Sequence, residues 1–83
     1  MATILYFGCL PDLVGRGEET FFLPKTVKTV ADLLDYLRQR GDQWQAGLNE
    51  QLVTVTVNKE FKDMEAEISD QDEIAIVSKG LGR

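Results

Sequence analysis

The sequence ends in DEIAIVSKGLGR (Asp72–Arg83), where a short apolar run passes directly into a segment that contains two glycines. The run Glu73–Val77 predicts a strand, and the glycines after it have the most conformational freedom to lose on ordering. Such a segment adds little stability to its own fold but is suited to enter a binding site on another molecule. We therefore expect a domain over residues 1–77 and a flexible C-terminal tail over residues 78–83.

The composition is typical of one soluble globular domain, since 43% of the 83 residues are hydrophobic and 28% are charged. A chain of this length has no room for both a core and a deep active-site cleft. No apolar run approaches the roughly 20 residues that cross a bilayer. The N-terminal residues lack the basic region and long apolar segment of a signal peptide. We expect no membrane partner and a cytoplasmic location.

The charge distribution argues against a nucleic-acid partner. Nine Lys and Arg residues stand against fourteen Asp and Glu residues, and a net charge of −5 repels a phosphate backbone. A basic protein surface is a better electrostatic complement. Seven of the carboxylates and one lysine lie between Glu60 and Glu73, which we call the acidic stretch. We interpret it as a solvated face, with steering toward a basic partner as the alternative.

One cysteine and no histidine leave the sequence with few side-chain catalysts. Intramolecular disulfides are impossible, and the common zinc clusters and the Ser-His and Cys-His nucleophile pairs are excluded, so we expect no metal site. Cys9 follows the first predicted strand. We interpret it as a small buried hydrophobe, with a role in sulfur handling as the alternative.

Hydrophobic periodicity predicts several strands and one main helix. A single helical turn is expected at residues 10–15, and a further short turn at residues 43–48 holds Trp44 as a packing residue. The predicted strands are residues 3–7, 18–23, 52–57 and 73–77, with a turn at 58–60 and a short edge segment opened by Phe61.

The main helix is predicted to begin after Thr29, whose hydroxyl can accept a hydrogen bond from the backbone N–H of Asp32. Gly41 is predicted to end it in a left-handed conformation, after Arg38 and Arg40 have placed positive charge near its C-terminal end. The apolar stripe of this helix is Val30, Leu33, Leu34 and Leu37. The order strand, strand, helix, strand, short segment, strand indicates an α+β fold of the β-grasp (ubiquitin-like) type. Its mixed sheet is expected to have about four to five strands, with this helix packed on one face.

Four parts of the chain form a series: Ile4–Gly8 with Leu13–Gly15, Thr29–Leu34, Val55–Glu60 and Asp72–Ala75. Together, and in this order and spacing, they resemble the small subunit of molybdopterin synthase, a ubiquitin-like sulfur carrier. The resemblance covers essentially the whole chain.

The resemblance implies a carrier whose reactive group is its own C-terminal carboxylate. An adenylating activating enzyme uses ATP to activate that carboxylate, and sulfur then replaces an oxygen to give a thiocarboxylate. The large molybdopterin synthase subunit uses this sulfur in molybdenum cofactor biosynthesis. The chain itself then binds no cofactor and is not catalytic alone, but is the small subunit of a heteromeric sulfurtransferase. The partner-binding residues that the resemblance implies are Phe7, Phe61, Val77 and Leu81, with core packing as the alternative for the first three.

The last residues depart from the family, which ends in Gly-Gly. Gly82 falls on the first of these glycines and Arg83 replaces the second, while Gly80 lies two residues before Gly82. Three explanations are open: a protease removes Arg83 so that Gly82 becomes the carrier terminus, which we favour; the chain is a diverged relative that no longer carries sulfur; or the terminus is an artefact. The alternative functions are a non-conjugating β-grasp interaction module and a sulfur carrier for thiamin biosynthesis or tRNA thiolation.

Overall fold

A mixed sheet lies at the centre of the computed structural model, which describes residues 1–49 and 51–78. The described strands are β1 (Ala2–Phe7), β2 (Glu18–Phe21), β3 (Val53–Val57), β4 (Glu60–Lys62) and β5 (Glu73–Ser78), and the helices are α1 (Leu10–Val14), α2 (Val30–Arg38) and α3 (Asp42–Gly47). The strands lie in the order β2-β1-β5-β3-β4, with β1 parallel to β5 and the other neighbours antiparallel. This topology confirms the predicted α+β, β-grasp fold. None of these described helices is long and apolar enough to span a membrane.

Alternation along the three inner strands divides the sheet into two faces. One set of side chains is buried, while the residues between them are half-buried or exposed. The buried set forms one core with the predicted apolar stripe of α2, whose four residues are all fully buried. Each large side chain buried in this way stabilises the fold by about 1.5–3 kcal/mol relative to an exposed position. The buried strand residues, which define the inner face, are Ala2, Ile4, Tyr6, Val53, Val55, Val57, Ile74, Ile76 and Ser78.

The N-terminus of α2 has the predicted cap. Thr29 Oγ1 accepts a hydrogen bond from the backbone N–H of Asp32 at 3.2 Å. In return, Asp32 Oδ2 accepts hydrogen bonds from the N–H of Lys28 at 3.1 Å and the N–H of Thr29 at 3.2 Å. These hydrogen bonds, the one from Lys28 first, lower the pKa of Asp32. The carboxylate is therefore charged beside the positive end of the helix dipole, where it stabilises the first turn.

The C-terminus of α2 differs from the prediction. The helix ends at Arg38, and Gly41 has φ 157° and ψ −179°, an extended conformation rather than a left-handed helical one. Gly41 precedes α3 directly, so it starts the next helix instead of ending α2. Arg40 lies beyond α2 and forms an ion pair with Glu19 of β2 at 2.8 Å. The helix thus ends three residues before Gly41, and Arg40 lies in the connection between α2 and α3.

Four strand boundaries also differ from the prediction. β1 begins one residue earlier, at Ala2, and β3 one residue later, at Val53. β2 ends at Phe21 and not at Leu23, because Phe21 pairs with Ala2, the first residue of β1. The N–H of Leu23 donates to Asp70 Oδ1 at 2.7 Å. β5 extends to Ser78, which pairs with Val53 and is only 8% exposed. Ser78 therefore belongs to the domain and not to the predicted tail, since the ladder between β5 and β3 continues through it.

The predicted turn after β3 is a two-residue hairpin turn that connects β3 to β4. Asn58 and Lys59 have φ values of 54° and 73°, as a type I′ turn requires. The Asn58 side chain donates to Asp72 Oδ1 at 3.0 Å and accepts from the N–H of Glu73 at 3.0 Å. The turn is thus held against the start of β5.

Candidate functional site on the outer face of the sheet

The outer face of the sheet lies opposite the inner face and carries the predicted partner-binding residues. Two rows of paired residues cross it: Phe7, Val77 and Thr54 in one row, and Leu5, Ala75, Thr56 and Phe61 in the other. Directly paired residues point to the same side of a sheet. The fold therefore places Phe7, Val77 and Phe61 on one face, although they come from three different strands.

The exposure of these residues tests the alternative of core packing. Phe7 is 47% exposed and Phe61 is 78% exposed, whereas Val77 is half-buried. Core packing therefore does not account for the two phenylalanines. Exposed aromatic rings beside an aliphatic residue form an apolar surface, and its removal from water by a partner would favour binding.

The C-terminal end of β5 lies beside the end of β1, next to this apolar surface. Gly8 follows β1 with φ 73°, and a Cβ atom there would lie 2.9 Å from the Cβ of Ser78. Glycine is therefore required at this close approach. Val77 pairs with Phe7, so the chain leaves the end of β5 beside the exposed Phe7, although the Ser78 side chain itself points to the inner face. The other predicted site residues, Gly80, Leu81, Gly82 and Arg83, lie outside the described residues.

Cys9 is exposed, so its interpretation as a buried hydrophobe is wrong. It comes two residues after the end of β1 and occupies the N-cap position of α1, outside the alternation that buries strand residues. Its Sγ donates a hydrogen bond to Ser78 Oγ at 3.2 Å. The thiol therefore contacts the end of β5 from the surface instead of filling the core.

A charged cluster that was not predicted from the sequence is centred on Glu19 of β2. We call it the Glu19 cluster, and its four members are Tyr6, Arg16, Glu19 and Arg40. Glu19 Oε2 accepts hydrogen bonds from the Tyr6 hydroxyl at 2.6 Å and from Arg40 Nη1 at 2.8 Å. Arg16 Nη1 lies 3.4 Å from Glu19 Oε1. Burial raises the pKa of Glu19, but the hydrogen bonds from Arg40 and Tyr6 lower it, and the net pKa is below the usual range. Burial and the hydrogen bond to Glu19 raise the pKa of Tyr6, so its hydroxyl keeps its proton.

Aromatic rings surround the Arg40 guanidinium of this cluster. Its Cζ lies 4.7 Å from the ring centroid of Trp44, 5.5 Å from that of Phe21 and 6.0 Å from that of Tyr36, within the range of cation–π contacts. Trp44 also packs edge-on against Tyr6, with centroids 5.8 Å apart, which confirms its prediction as a packing residue. The Glu19 cluster thus joins β2 to the connection between α2 and α3, and it lies away from the outer face.

One sequence signal could have found the Glu19 cluster. Glu19 pairs with Ile4 and Phe21 pairs with Ala2, so both β2 residues point to the inner side of the sheet. A carboxylate on the side of a strand that faces the core needs a cationic or hydrogen-bonding partner. The alternation of β2 therefore indicates a partner for Glu19, but the sequence does not say which residue it is.

The acidic stretch divides into two parts. Four of its carboxylates, those of Glu60, Asp63, Glu65 and Glu67, belong to exposed residues, as a solvated face predicts. Asp70 and Asp72 instead accept hydrogen bonds from the backbone N–H groups of Leu23 at 2.7 Å and Ser69 at 2.8 Å. Within residues 1–49 and 51–78, no group of three or more acidic, histidine or cysteine side chains is placed to hold a metal ion.

Comparison with known proteins assigns the chain to a family, because residues 4–79 match the ThiS family. The chain belongs to the ThiS family. This is a class of ubiquitin-like sulfur carriers, in agreement with the resemblance found in the sequence. Comparison of this ThiS-family chain with curated protein sequences gave no match.

Solved structures share the fold of this ThiS-family chain. A protein described as molybdopterin converting factor, subunit 1, from Pyrococcus furiosus is 24% identical, with a TM-score of 0.75 over 93% of this chain and 94% of that chain. SAMP1 from Haloferax volcanii is 18% identical, with a TM-score of 0.76 over 99% of this chain and 98% of that chain. A chain of the BexX/CysO complex from Amycolatopsis orientalis is 22% identical over 100% of both chains, with a TM-score of 0.71. These likenesses establish the β-grasp fold.

Proposed function

We propose that this ThiS-family chain carries sulfur as a C-terminal thiocarboxylate for molybdenum cofactor biosynthesis in the cytoplasm, with Gly82 as the carrier terminus after removal of Arg83. The observation that carries the proposal is the position of the C-terminal strand. β5 is the middle strand of the sheet, and its end pairs with β1 beside the exposed Phe7. A central strand anchors the chain while the residues after it start next to an apolar surface. The choice of pathway follows the resemblance of the sequence to the small subunit of molybdopterin synthase.

The proposed chemistry needs no catalytic side chain from this protein. The terminal carboxylate, ionised at neutral pH, attacks the α-phosphorus of ATP held by an adenylating enzyme, so that a P–O bond forms and pyrophosphate leaves. Hydrosulfide, or a donor of it, then attacks the acyl carbon, AMP leaves and a thiocarboxylate remains. Glycine at the terminus leaves a narrow channel unobstructed. Removal of Arg83 is part of the proposal because its long cationic side chain would have to fit wherever glycine fits.

The outer face supplies the docking surface in this proposal. Phe7, Phe61 and Val77 present apolar area to the large molybdopterin synthase subunit and to the activating enzyme, and Leu81 adds an apolar contact from the tail. The exposed carboxylates of the acidic stretch favour a partner with a basic surface. Docking on the outer face would bring the C-terminal residues to the partner's active site, because β5 ends at the same edge.

Intact-mass measurement tests the carrier function. The full chain is incubated with a cell extract that supplies a protease, together with the adenylating enzyme, ATP and a sulfur donor, and we expect hydrolytic loss of Arg83 and exchange of one oxygen for sulfur. A chain that ends at Gly82 is expected to take up sulfur without prior processing. A chain that ends at Gly80 is the matched control, because it keeps the whole domain and lacks the carrier terminus. An unchanged mass for the chain that ends at Gly82 contradicts the carrier function, whereas sulfur uptake with Arg83 retained contradicts only the processing step.

A carrier for another acceptor is the second candidate. The fold matches SAMP1 and the BexX/CysO complex about as well as the molybdopterin converting factor, with TM-scores of 0.76, 0.71 and 0.75. Supplying the thiocarboxylated chain to the large molybdopterin synthase subunit separates the two candidates. Dithiolene formation supports the first candidate, and transfer only to a thiamin-synthesis or tRNA-thiolation system supports the second. A non-conjugating interaction module would bind its partner tightly without any sulfur uptake.

A further inference from the structure

The far edge of the sheet has a groove that the proposed function does not use. β4 is three residues long and pairs only with the second half of β3, from Val55 to Val57. The first two residues of β3, Val53 and Thr54, pair with β5 on one side, and no described strand pairs with them on the other. An open groove of about 340 Å³ lies along this part of β3. The residues that line it include Val53, Val55, Phe61, Lys62, Asp63 and Met64.

The backbone of Val53 points its hydrogen-bonding groups into this groove. In a two-residue hairpin the residues that flank the turn, here Val57 and Glu60, form a hydrogen-bonded pair, and such pairs recur at every second residue. The backbone groups of Val57, Val55 and Val53 therefore all face the β4 side. The N–H of Asn58 donates to Glu73 O at 2.7 Å, which confirms that the alternate residues of β3 face β5. Because β4 ends at Lys62, the partner of Val55, the N–H and C=O of Val53 face the groove.

The lining of the groove indicates what it can bind. Two of its residues, Phe61 and Met64, offer apolar side chains to the groove, whereas the side chains of Val53 and Val55 are buried in the core. Phe61 also belongs to the outer face. Lys62 is paired with Glu60 at 3.3 Å, whereas Asp63 makes a hydrogen bond only to the nearby backbone N–H of Glu65 among the described residues. A segment with an apolar side chain and a neighbouring Lys or Arg matches this combination, and the net charge of −5 favours a basic partner.

Two other occupants fit the groove less well. A second copy of this chain would bring together two acidic molecules, each with a net charge of −5. The chain's own residues 79–83 start from Ser78, which lies on the opposite side of β3.

We propose that the free edge of β3 accepts an extended segment of a partner protein as an added strand, with main-chain hydrogen bonds to Val53, an apolar side chain in the groove and a Lys or Arg near Asp63. Strand addition of this kind takes affinity from the backbone and specificity from the side-chain pocket. The groove shares Phe61 with the outer face, so one partner can contact both surfaces.

Peptide selection followed by NMR tests the proposal. Random peptides displayed on phage are selected on the full chain, and the selected peptides are synthesised and titrated into the ¹⁵N-labelled protein. We expect alternating apolar residues with Lys or Arg, a shift of the Val53 amide signal and slower hydrogen exchange at that amide. Val53→Pro removes the donor and is expected to weaken binding about five- to tenfold.

Charge reversal provides a second measurement that does not depend on whether Val53→Pro folds. Asp63→Lys is expected to weaken binding of the basic peptides about two- to fivefold. Asp42→Lys, the same change at an exposed position on α3, is expected to leave the affinity unchanged. Equal loss in both variants overturns the role of Asp63, since it shows only an effect of total charge.

Three kinds of result overturn the proposal. The first is a failure to find a peptide that binds the groove: either no peptide is selected, or the selected peptides shift only signals of the outer face. The second is a Val53 amide whose protection in the free chain rises with protein concentration, which assigns the groove to a second copy. The third is protection that disappears when residues 79–83 are deleted, which assigns it to the chain's own tail.

Discussion

The two faces of the central sheet are built from the same strands but differ in what covers them. Tyr6 and Phe7 are neighbours on β1, yet Tyr6 is 2% exposed on the inner face and Phe7 is 47% exposed on the outer face. The inner face is covered by α2 and holds the buried core. The outer face keeps exposed phenylalanine rings that add little to the stability of the isolated chain. The buried core thus lies on one side of the sheet and the proposed partner-binding surface on the other, so substitutions can separate stability from the proposed binding.

The largest expected effect is on the inner face. Leu34→Ala removes a fully buried side chain of α2 and is expected to lower the free energy of unfolding by about 2–5 kcal/mol. Phe7→Ala is expected to change it by only about 0.5 kcal/mol. Urea titrations of both variants measure the difference. A similar loss for Phe7→Ala would show that the outer face is part of the stabilising core.

The next effect is on binding by the outer face, and it depends on the proposed function. Phe7→Ala is expected to weaken binding to the large molybdopterin synthase subunit by about 2 kcal/mol, or roughly thirtyfold. Isothermal titration calorimetry measures the affinity. Phe22→Ala is the matched control, because Phe22 is 71% exposed but lies outside the two rows of paired residues. Equal losses for both variants would remove the distinction between the outer face and any other exposed aromatic residue.

The Glu19 cluster should give a smaller effect that depends on pH. Glu19→Gln is expected to lower the free energy of unfolding by about 1–3 kcal/mol at neutral pH. The pKa of Glu19 is lower in the folded chain than its usual value of 4.5. The carboxylate therefore stabilises the fold above that value, and this contribution is lost as the pH falls through the folded-state pKa.

Urea midpoints measured across the acidic range check this expectation. The difference between the natural chain and Glu19→Gln should shrink as the pH decreases. Glu18→Gln, an exposed neighbour on β2, is expected to change stability by less than about 0.5 kcal/mol at any of these pH values. A difference for Glu19→Gln that does not vary with pH would show that its charge does not stabilise the cluster.

The smallest effect is expected in the turn that joins β3 to β4. Lys59 has φ 73°, a conformation that is unfavourable for residues with a Cβ atom. Lys59→Gly is expected to raise the free energy of unfolding by about 0.5–1 kcal/mol, because the relief of strain exceeds the entropy of glycine. Thermal unfolding measures the gain, and Lys59→Ala should show none. A loss of stability in Lys59→Gly would mean that the lysine side chain contributes more than the strain costs.

Features that depend on neighbouring residues were predictable from the sequence. The Thr29 cap, the stripe of α2, the alternation of β3 and the turn at Asn58 each involve residues only a few positions apart. The partner-binding role of Phe7, Val77 and Phe61 rests on the resemblance to a family and stays a prediction. Phe7, Val77 and Phe61 are far apart in the chain, and their alternation does not say which face a helix will cover.

Three features were not predictable because they depend on contacts between distant parts of the chain. The Arg40 contact with Glu19 spans 21 residues and helps to end α2 early. Cys9 and Ser78 are 69 residues apart, and their contact accompanies both an exposed thiol and a longer β5. The groove at Val53 exists because β4 stops at Lys62, which a hydrophobic pattern does not reveal.

The amino-acid sequence by itself determined the order of helices and strands, the buried stripe of α2 and the acidic character of the chain, because these follow from periodicity and composition. The tertiary structure decided which side of the sheet stays open, since only the packing of α2 covers one face and leaves Phe7 and Phe61 exposed. It also decided that β5 runs beside β1 and carries the chain through Ser78 before the C-terminal residues begin. Parallel pairing of two strands almost a whole chain apart is a long-range event, and no local pattern specifies it.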